Sequence, residues 1–197
     1  MPRASAAAAA QTAEHVLSCA TELFAAQGFA DVALDDVASA ASVTRGAIYH
    51  HFTNKAGLFR AVVDRLQQHV AEAVVAAAEA AGAEPWQQLV AGSHAFLEAI
   101  THGSAPRVLL IDAPSVLGWS QWREIDATHS GSHLIEGLRD VGVPDAVLPA
   151  MAAQLSGAMN DAALFIIEHD DADSRAAAHA VLDQLLRVAM PPQELPG

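Results

Sequence analysis

From Gln11 to Gln27 the apolar residues Val16, Ala20, Leu23 and Phe24 recur at the 3.6-residue spacing of an amphipathic helix, and Gly28 follows as its stop. Two short helices are predicted next. The first covers Leu34–Ala41 with Val37 and Ala38 inward; the second is opened by Thr44, whose hydroxyl can accept a backbone N–H as an N-cap. Asn54 repeats that role for a fourth helix bearing Leu58, Phe59, Val62, Val63 and Leu66, which reaches Ala80 before Gly82 and Pro85 break it. Further helices are predicted over Pro85–Thr101, Ala105–Asp112, Trp119–Val141, Pro144–His169 and Ala172–Ala189. Pro144 suits a first helical turn, and Asp173 or Ser174 would cap the last helix. With no strand pattern and no internal repeat, the fold class is all-α.

One stretch departs from the rest. In "SVTRGAIYHHF", Ser42 to Phe52, the apolar stripe is thin: Val43, Ile48 and Phe52. Ile48 and Phe52 lie four apart and share a face, so they and Val43 can pack onto the neighbouring helices. Thr44, Arg45, Gly46, Tyr49 and His50 are left outside on a face without any acidic residue, whereas a solvated helix face is usually laced with both signs of charge. Two short helices joined by "ASVT" are the geometry of a helix-turn-helix, whose second helix enters a major groove N-terminus first. Arg45 can pair with a guanine edge or a phosphate, and Gly46 permits close backbone approach. Tyr49, His50 and His51 can donate to phosphates, and Lys55 adds a charge-assisted contact.

Charge and composition alter this picture only in part. The net charge of −13 opposes a nucleic-acid partner at first sight, but it is unevenly placed. Residues 1–60 hold four Lys/Arg against five Asp/Glu, a net of −1, while residues 61–197 hold six against eighteen, a net of −12. A DNA-binding head therefore remains possible. Cys19 is the only cysteine, which excludes an internal disulfide and a Cys-rich zinc site. No apolar run is read as approaching the roughly 20 residues of a membrane span, and the "ASAAAAA" tract is too weakly apolar for a secretory signal, so a cytoplasmic protein with no membrane association is expected. The expected organisation is a flexible tail at 1–10, a helix-turn-helix domain at 11–56, a helical domain at 57–190 and a flexible tail at 191–197.

The elements "A-x-x-L-F-A-x-x-G-F", "L-D-D-V-A-x-A-A-x-V" and "T-R-G-A-I-Y-H-H-F-x-N-K-x-x-L-F" stand in order between roughly Thr12 and Val63. Together they resemble the N-terminal DNA-binding domain of the TetR family of bacterial transcriptional regulators. That resemblance implies recognition-helix contacts at Thr44, Arg45, Gly46, Tyr49, His50 and His51, and a phosphate-binding lysine at Lys55. One departure is Ala33, where the family often has a Thr or Ser that caps the second helix; Asp35 is the expected substitute cap.

The resemblance also implies that the remaining helices bind a ligand and dimerise, the last two forming a four-helix interface between subunits. Val147, Leu155, Ala158, Ala162, Phe165 and Ile166 could supply one apolar stripe, and Val181, Leu182, Leu185, Leu186 and Val188 another; internal packing is the alternative use of both. "RVLLIDAPSVLGWSQWREID" resembles a segment in one group of these regulators. Candidate ligand residues are Trp86, Phe96, Trp119, Trp122, His133 and Asn160, set against ordinary helix packing for each. His129 and His133 have the four-residue spacing of a shared metal, with Asp126 a turn earlier, but ten scattered histidines produce such a pair by chance, and no metal or cofactor is expected. No nucleophile elbow or Gly-rich phosphate loop supports an enzyme. The expectation is a homodimeric repressor that leaves its DNA operator on binding a small apolar or aromatic molecule, with a metal-sensing or activating regulator on the same head as the alternative.

Overall fold

In the computed structural model the backbone is described for residues 2–189 and the side chains for residues 7–189. The tail expected at 191–197 lies outside them. The described residues are helical and hold no strand. They form two compact units. One takes the chain to Leu66 and adds Gly103–Arg123; the other takes Gln67–His102 and the chain from Glu124 onward. The division falls within the fourth helix, and the first unit includes a later segment.

In the first unit, α1 covers Pro2–Gln27. The stretch expected as a tail is helical from residue 2, because consecutive alanines have the highest helix propensity and prolong the helix upstream of its packed part, which begins at buried Val16. Gly28, at φ +87°, ends it and donates to Phe24 O at 2.8 Å. Then come α2 (Leu34–Ala40), α3 (Arg45–Phe52) and α4 (Lys55–Ala80). Thr44 Oγ1 accepts the Ala47 N–H at 3.2 Å and Asn54 Oδ1 accepts the Gly57 N–H at 2.8 Å, the two N-caps expected from sequence. Phe59 meets Phe24 and Phe29 edge-on at 5.1 and 4.9 Å, and Val16, Val37, Ile48, Leu58 and Val62 close the core around them.

The cap of α2 differs from expectation. Asp36, not Asp35, reaches back, its Oδ2 accepting the Ala33 N–H at 2.9 Å. The third helical position is the one placed to do this; Asp35, one residue earlier, points elsewhere.

The helix expected at Ala105–Asp112 is a π-helical segment, Pro106–Asp112, that runs on into α6 (Ala113–Leu117) before Gly118 at φ +82° ends it. It packs on α1. Arg107 Nη2 donates to Gln27 O at 2.9 Å and Nη1 to Ala26 O at 3.4 Å, so its guanidinium satisfies carbonyls that the end of α1 leaves open. Asp112 Oδ2 accepts the Phe29 N–H at 2.8 Å.

Where a single helix over Trp119–Val141 was expected, α7 (Trp119–Asp126), a π-helical segment (Ala127–Gly131) and α8 (Ser132–Asp140) follow one another. The widened turn falls on "ATHSG", where four weaker helix formers, Thr128–Gly131, follow Ala127 and hold the α spacing weakly. In the second unit, α5 (Pro85–Ile100), α8, α9 (Leu148–His169) and α10 (Ala172–Ala189) pack together, α9 touching the other three. Helix α9 begins after a turn at Pro144, whose carbonyl accepts from Val147 and Leu148 at 3.0 Å each. Its cap at the other end, Asp170, adopts the left-handed conformation at φ +48°. Asp171, not Asp173 or Ser174, caps α10: its Oδ1 accepts the Ser174 N–H at 2.7 Å. With 22 residues and a mean hydropathy of 1.2, α9 is long and apolar enough to cross a membrane by length and composition, contrary to the expectation from sequence. Against its three neighbouring helices 33% of that apolar window is buried.

Candidate functional site

Helix α3 is anchored by Ile48, which is wholly buried, with Phe52 half-buried beside it. The opposite side carries Thr44, Arg45, Gly46, Tyr49 and His50, all exposed, and His51 is half-buried with its ring 5.2 Å from that of His50. Tyr49 keeps 43% of its surface. The face is therefore presented as its spacing requires, with its aromatic and cationic groups outward.

Arg45 is not loose on that face. Its Nη1 donates to Asp35 Oδ2 at 2.9 Å, its Nη2 donates to the Tyr49 hydroxyl at 3.1 Å, and its guanidinium carbon lies 5.5 Å from the Tyr49 ring centre. The Tyr49 hydrogen bond, and after it the Asp35 charge, push the guanidinium pKa further up. Lys55 starts α4 with Nζ donating to Ala30 O at 3.2 Å and lying 4.4 Å from the Phe29 ring centre. It braces the loop after α1 with its charged end at the edge of the head.

Sequence reasoning missed the Asp35–Arg45 pair because its members sit on different helices, ten residues apart. Only the helix-turn-helix geometry, which sets the start of α2 beside the start of α3, could have signalled it.

In the second unit, α4, α5, α8 and α9 enclose a cavity of about 220 Å³. Phe96, Leu89, Leu134 and Met159 make its apolar wall, Ser93 is a buried hydroxyl on it, and His133 contributes an imidazole. Glu79, Glu136 and Asp140 also line it, Glu136 Oε2 lying 3.4 Å from His133 Nδ1.

Of the candidate ligand residues, Phe96 and His133 meet at this cavity; the others do not line it. Trp119 and Trp122 belong to the first unit, where they pack on each other at 4.9 Å, Trp119 68% exposed and Trp122 buried. The interruption after α7 separates them from the helix that carries His133. Trp86 is half-buried on α5. Asn160 is buried and donates from Nδ2 to Ser156 O at 2.9 Å, a bond within α9 itself. His129, in the π-helical segment, and His133, in α8, border a second, open trough. Among the described residues no group of three or more His, Cys, Asp or Glu is placed to hold a metal ion.

Two further histidines find partners across helices. His94 Nε2 lies 2.7 Å from Asp183 Oδ1, and His179 Nε2 lies 2.9 Å from Glu98 Oε1, tying α5 to α10.

Comparison with known proteins agrees with this layout. Residues 16–62 match the family profile "Bacterial regulatory proteins, tetR family", and residues 86–188 match "Tetracyclin repressor-like, C-terminal domain". The chain is 44% identical over 63 residues to the HTH-type transcriptional regulator SrpR of Pseudomonas putida, covering 32% of this chain and 30% of that protein. It is 40% identical over 91 residues to the probable acrEF/envCD operon repressor of Escherichia coli K12, covering 45% and 40%. These matches span less than half the length of either relative. A solved TetR-family transcriptional regulator from Pectobacterium atrosepticum superposes with a TM-score of 0.74 at 32% identity, over 93% of this chain and 96% of that one. Since the second profile alone spans more than half of the sequence, and the superposition extends over nearly all of it, the chain belongs to the TetR family of bacterial transcriptional regulators.

Proposed function

We propose that this protein is a homodimeric repressor that reads an operator through α3 and releases it when a small molecule enters the cavity of the second unit. The exposed, acid-free face of α3, fixed from behind by Ile48, is the observation that carries the reading. Thr44, Arg45, Gly46, Tyr49, His50 and His51 meet the duplex, and Lys55 meets a flanking phosphate. One such helix touches few base pairs, so a dimer presenting two of them about one helical turn apart, roughly 34–36 Å, supplies a usable site.

The apolar surface that remains exposed on α9 and α10 supports the dimer. Phe165, Val181 and Leu185 keep 40%, 53% and 41% of their surface and border an apolar trough shared by the two helices. A second copy of the same pair would cover it. The mostly apolar wall of the cavity suits a small apolar or aromatic effector held at one end by His133. A coupling of about 1–3 kcal/mol between effector and DNA would weaken operator binding roughly 5–150-fold.

Fluorescence anisotropy with the duplex upstream of the protein's own gene tests the reading. Wild type should bind in a salt-dependent manner, and Arg45→Ala and Tyr49→Ala should each weaken binding at least tenfold while leaving the thermal melt unchanged. Binding by both variants equal to wild type would remove α3 as the reading helix. Leu185→Glu should convert the dimer to monomer by light scattering; a variant that remains dimeric places the interface elsewhere.

A further inference from the structure

Asp35 is an acidic residue on the face turned toward the proposed duplex, where a carboxylate repels phosphate and lowers affinity for every DNA sequence alike. Helix capping does not account for it, because Asp36 caps α2. Nor does it hold the fold together: its side chain is 66% exposed and that of Arg45 52%, and ion pairs so open to water contribute almost nothing to stability. What it does is fix a cation. Arg45 gives one N–H to Asp35 Oδ2 at 2.9 Å and another to Tyr49 Oη at 3.1 Å, with the Tyr49 ring beside the guanidinium plane. A guanidinium has five N–H groups in a rigid fork, so three remain to meet a partner.

An arginine free to rotate takes whichever phosphate oxygen is nearest, a contact without sequence information, whereas one held in a set plane can meet the O6 and N7 of guanine with two parallel bonds. A carboxylate next to it makes the phosphate option worse and leaves the base option open.

We infer that Asp35 is a specificity-determining positioning residue, which holds Arg45 against Tyr49 so that its remaining N–H groups read a guanine in the major groove. The inference rests on α3 being the DNA-reading helix and adds to that reading the residue that decides what Arg45 reads. Tyr49, whose oxygen is already an acceptor for Arg45, keeps its own O–H free to donate to the duplex.

The test is selection from a random duplex library by the full-length wild-type protein, followed by affinities for the selected site and for its variants at each position. Wild type should select a site with a guanine in each half whose preference disappears in Arg45→Ala, a loss of roughly 5–150-fold at that position. Asp35→Ala should lower the same guanine preference by about 2- to 12-fold, the equivalent of ordering one rotamer-rich side chain, while binding to unrelated duplex stays equal or tightens. Its salt dependence should steepen by about one phosphate contact as Arg45 swings to the backbone. Asp35→Asn, whose amide oxygen still accepts a hydrogen bond, should fall between Ala and wild type; a pure charge effect would make Asn and Ala alike. A position-by-position profile identical in wild type and Asp35→Ala, or a common shift in affinity for all sequences, overturns the inference and leaves the DNA-binding reading standing. Failure of the wild-type dimer to select any site overturns both.

Discussion

The reading head and the helical body use their polar residues in opposite ways. In the head, the groups that matter are set by neighbours within a few positions: Thr44 caps α3, Asn54 caps α4, and Ile48 turns the α3 face outward. In the body, polar contacts between helices join residues far apart in sequence: His94 with Asp183 across 89 positions, and His179 with Glu98 across 81. A surface that must fit an external helix of fixed shape can be written in short-range code. A cavity bounded by four helices depends on how those helices assemble. The difference also appears in composition, since the head is almost neutral and the rest of the chain carries nearly all the net negative charge.

The largest expected effect tests whether the head really depends on its one local anchor. Ile48 is wholly buried under the α3 face, and truncation to alanine removes three buried carbons and leaves a cavity. Ile48→Ala should cost about 2–5 kcal/mol of stability in chemical denaturation and abolish DNA binding with it. Tyr49→Ala, one residue later but exposed, should change stability by less than about 0.5 kcal/mol. Equal losses from the two variants would mean that α3 is held by its outer face, and the contrast between its two sides would be wrong.

Local code explains why so much of the head was legible in advance. The periodicity from Val16 to Phe24, the stop at Gly28 and the two caps each depend on residues within one or two turns, and each stands where the sequence places it. Asp35 was misjudged because Asp35 and Asp36 are chemically alike; only the helix phase decides which reaches the Ala33 N–H and which faces Arg45. The body was less legible for a similar reason. The composition of "ATHSG" is weak in helix formers, but nothing in it marks that the helix widens to a π-helical turn rather than ending. Trp119 and Trp122 read as pocket residues by type, yet the chain at Gly103–Arg123 belongs with the head. Phe96 on α5 and His133 at the start of α8 both line the cavity.

A smaller effect probes a place where the head relies on a distant segment. Gly28 needs φ +87°, and a Cβ there would also run into the Arg107 guanidinium that bonds to the Ala26 and Gln27 carbonyls. Gly28→Ala should destabilise the protein by about 1–2 kcal/mol, of which about 1 is backbone strain that any L-residue would suffer. The remainder comes from displacing Arg107, so it should vanish when Gly28→Ala is made on an Arg107→Ala background. If the double variant loses the full sum of the two single losses, Arg107 is not felt at Gly28.

The smallest effect lies in the body and carries a pH signature. Glu98 accepts from His179 at 2.9 Å and Arg175 at 3.3 Å, and His102 Nδ1 lies 3.7 Å from it. Its partial burial would raise the carboxyl pKa, but the His179 hydrogen bond, the Arg175 charge and the nearby imidazoles together hold it below its ordinary value of 4.5. A carboxylate depressed in the folded state binds its proton more readily once unfolded. It therefore stabilises the fold fully above its unfolded pKa and loses that contribution as pH falls through the folded value. The stability difference between wild type and Glu98→Gln should accordingly be constant from pH 7 to about pH 5.5 and shrink progressively below about pH 4.5. Because nearly half of the side chain is open to solvent, the plateau should be below about 1 kcal/mol. Urea denaturation of both proteins at half-unit pH steps measures it. A difference that grows on acidification would reverse the sign and make the cluster a strain relieved by protonation. A difference that stays flat to pH 3 would show that α5 and α10 are held by their apolar contacts alone, and that the long-range polar contacts contribute no more to the body than Asp35 contributes to the stability of the head.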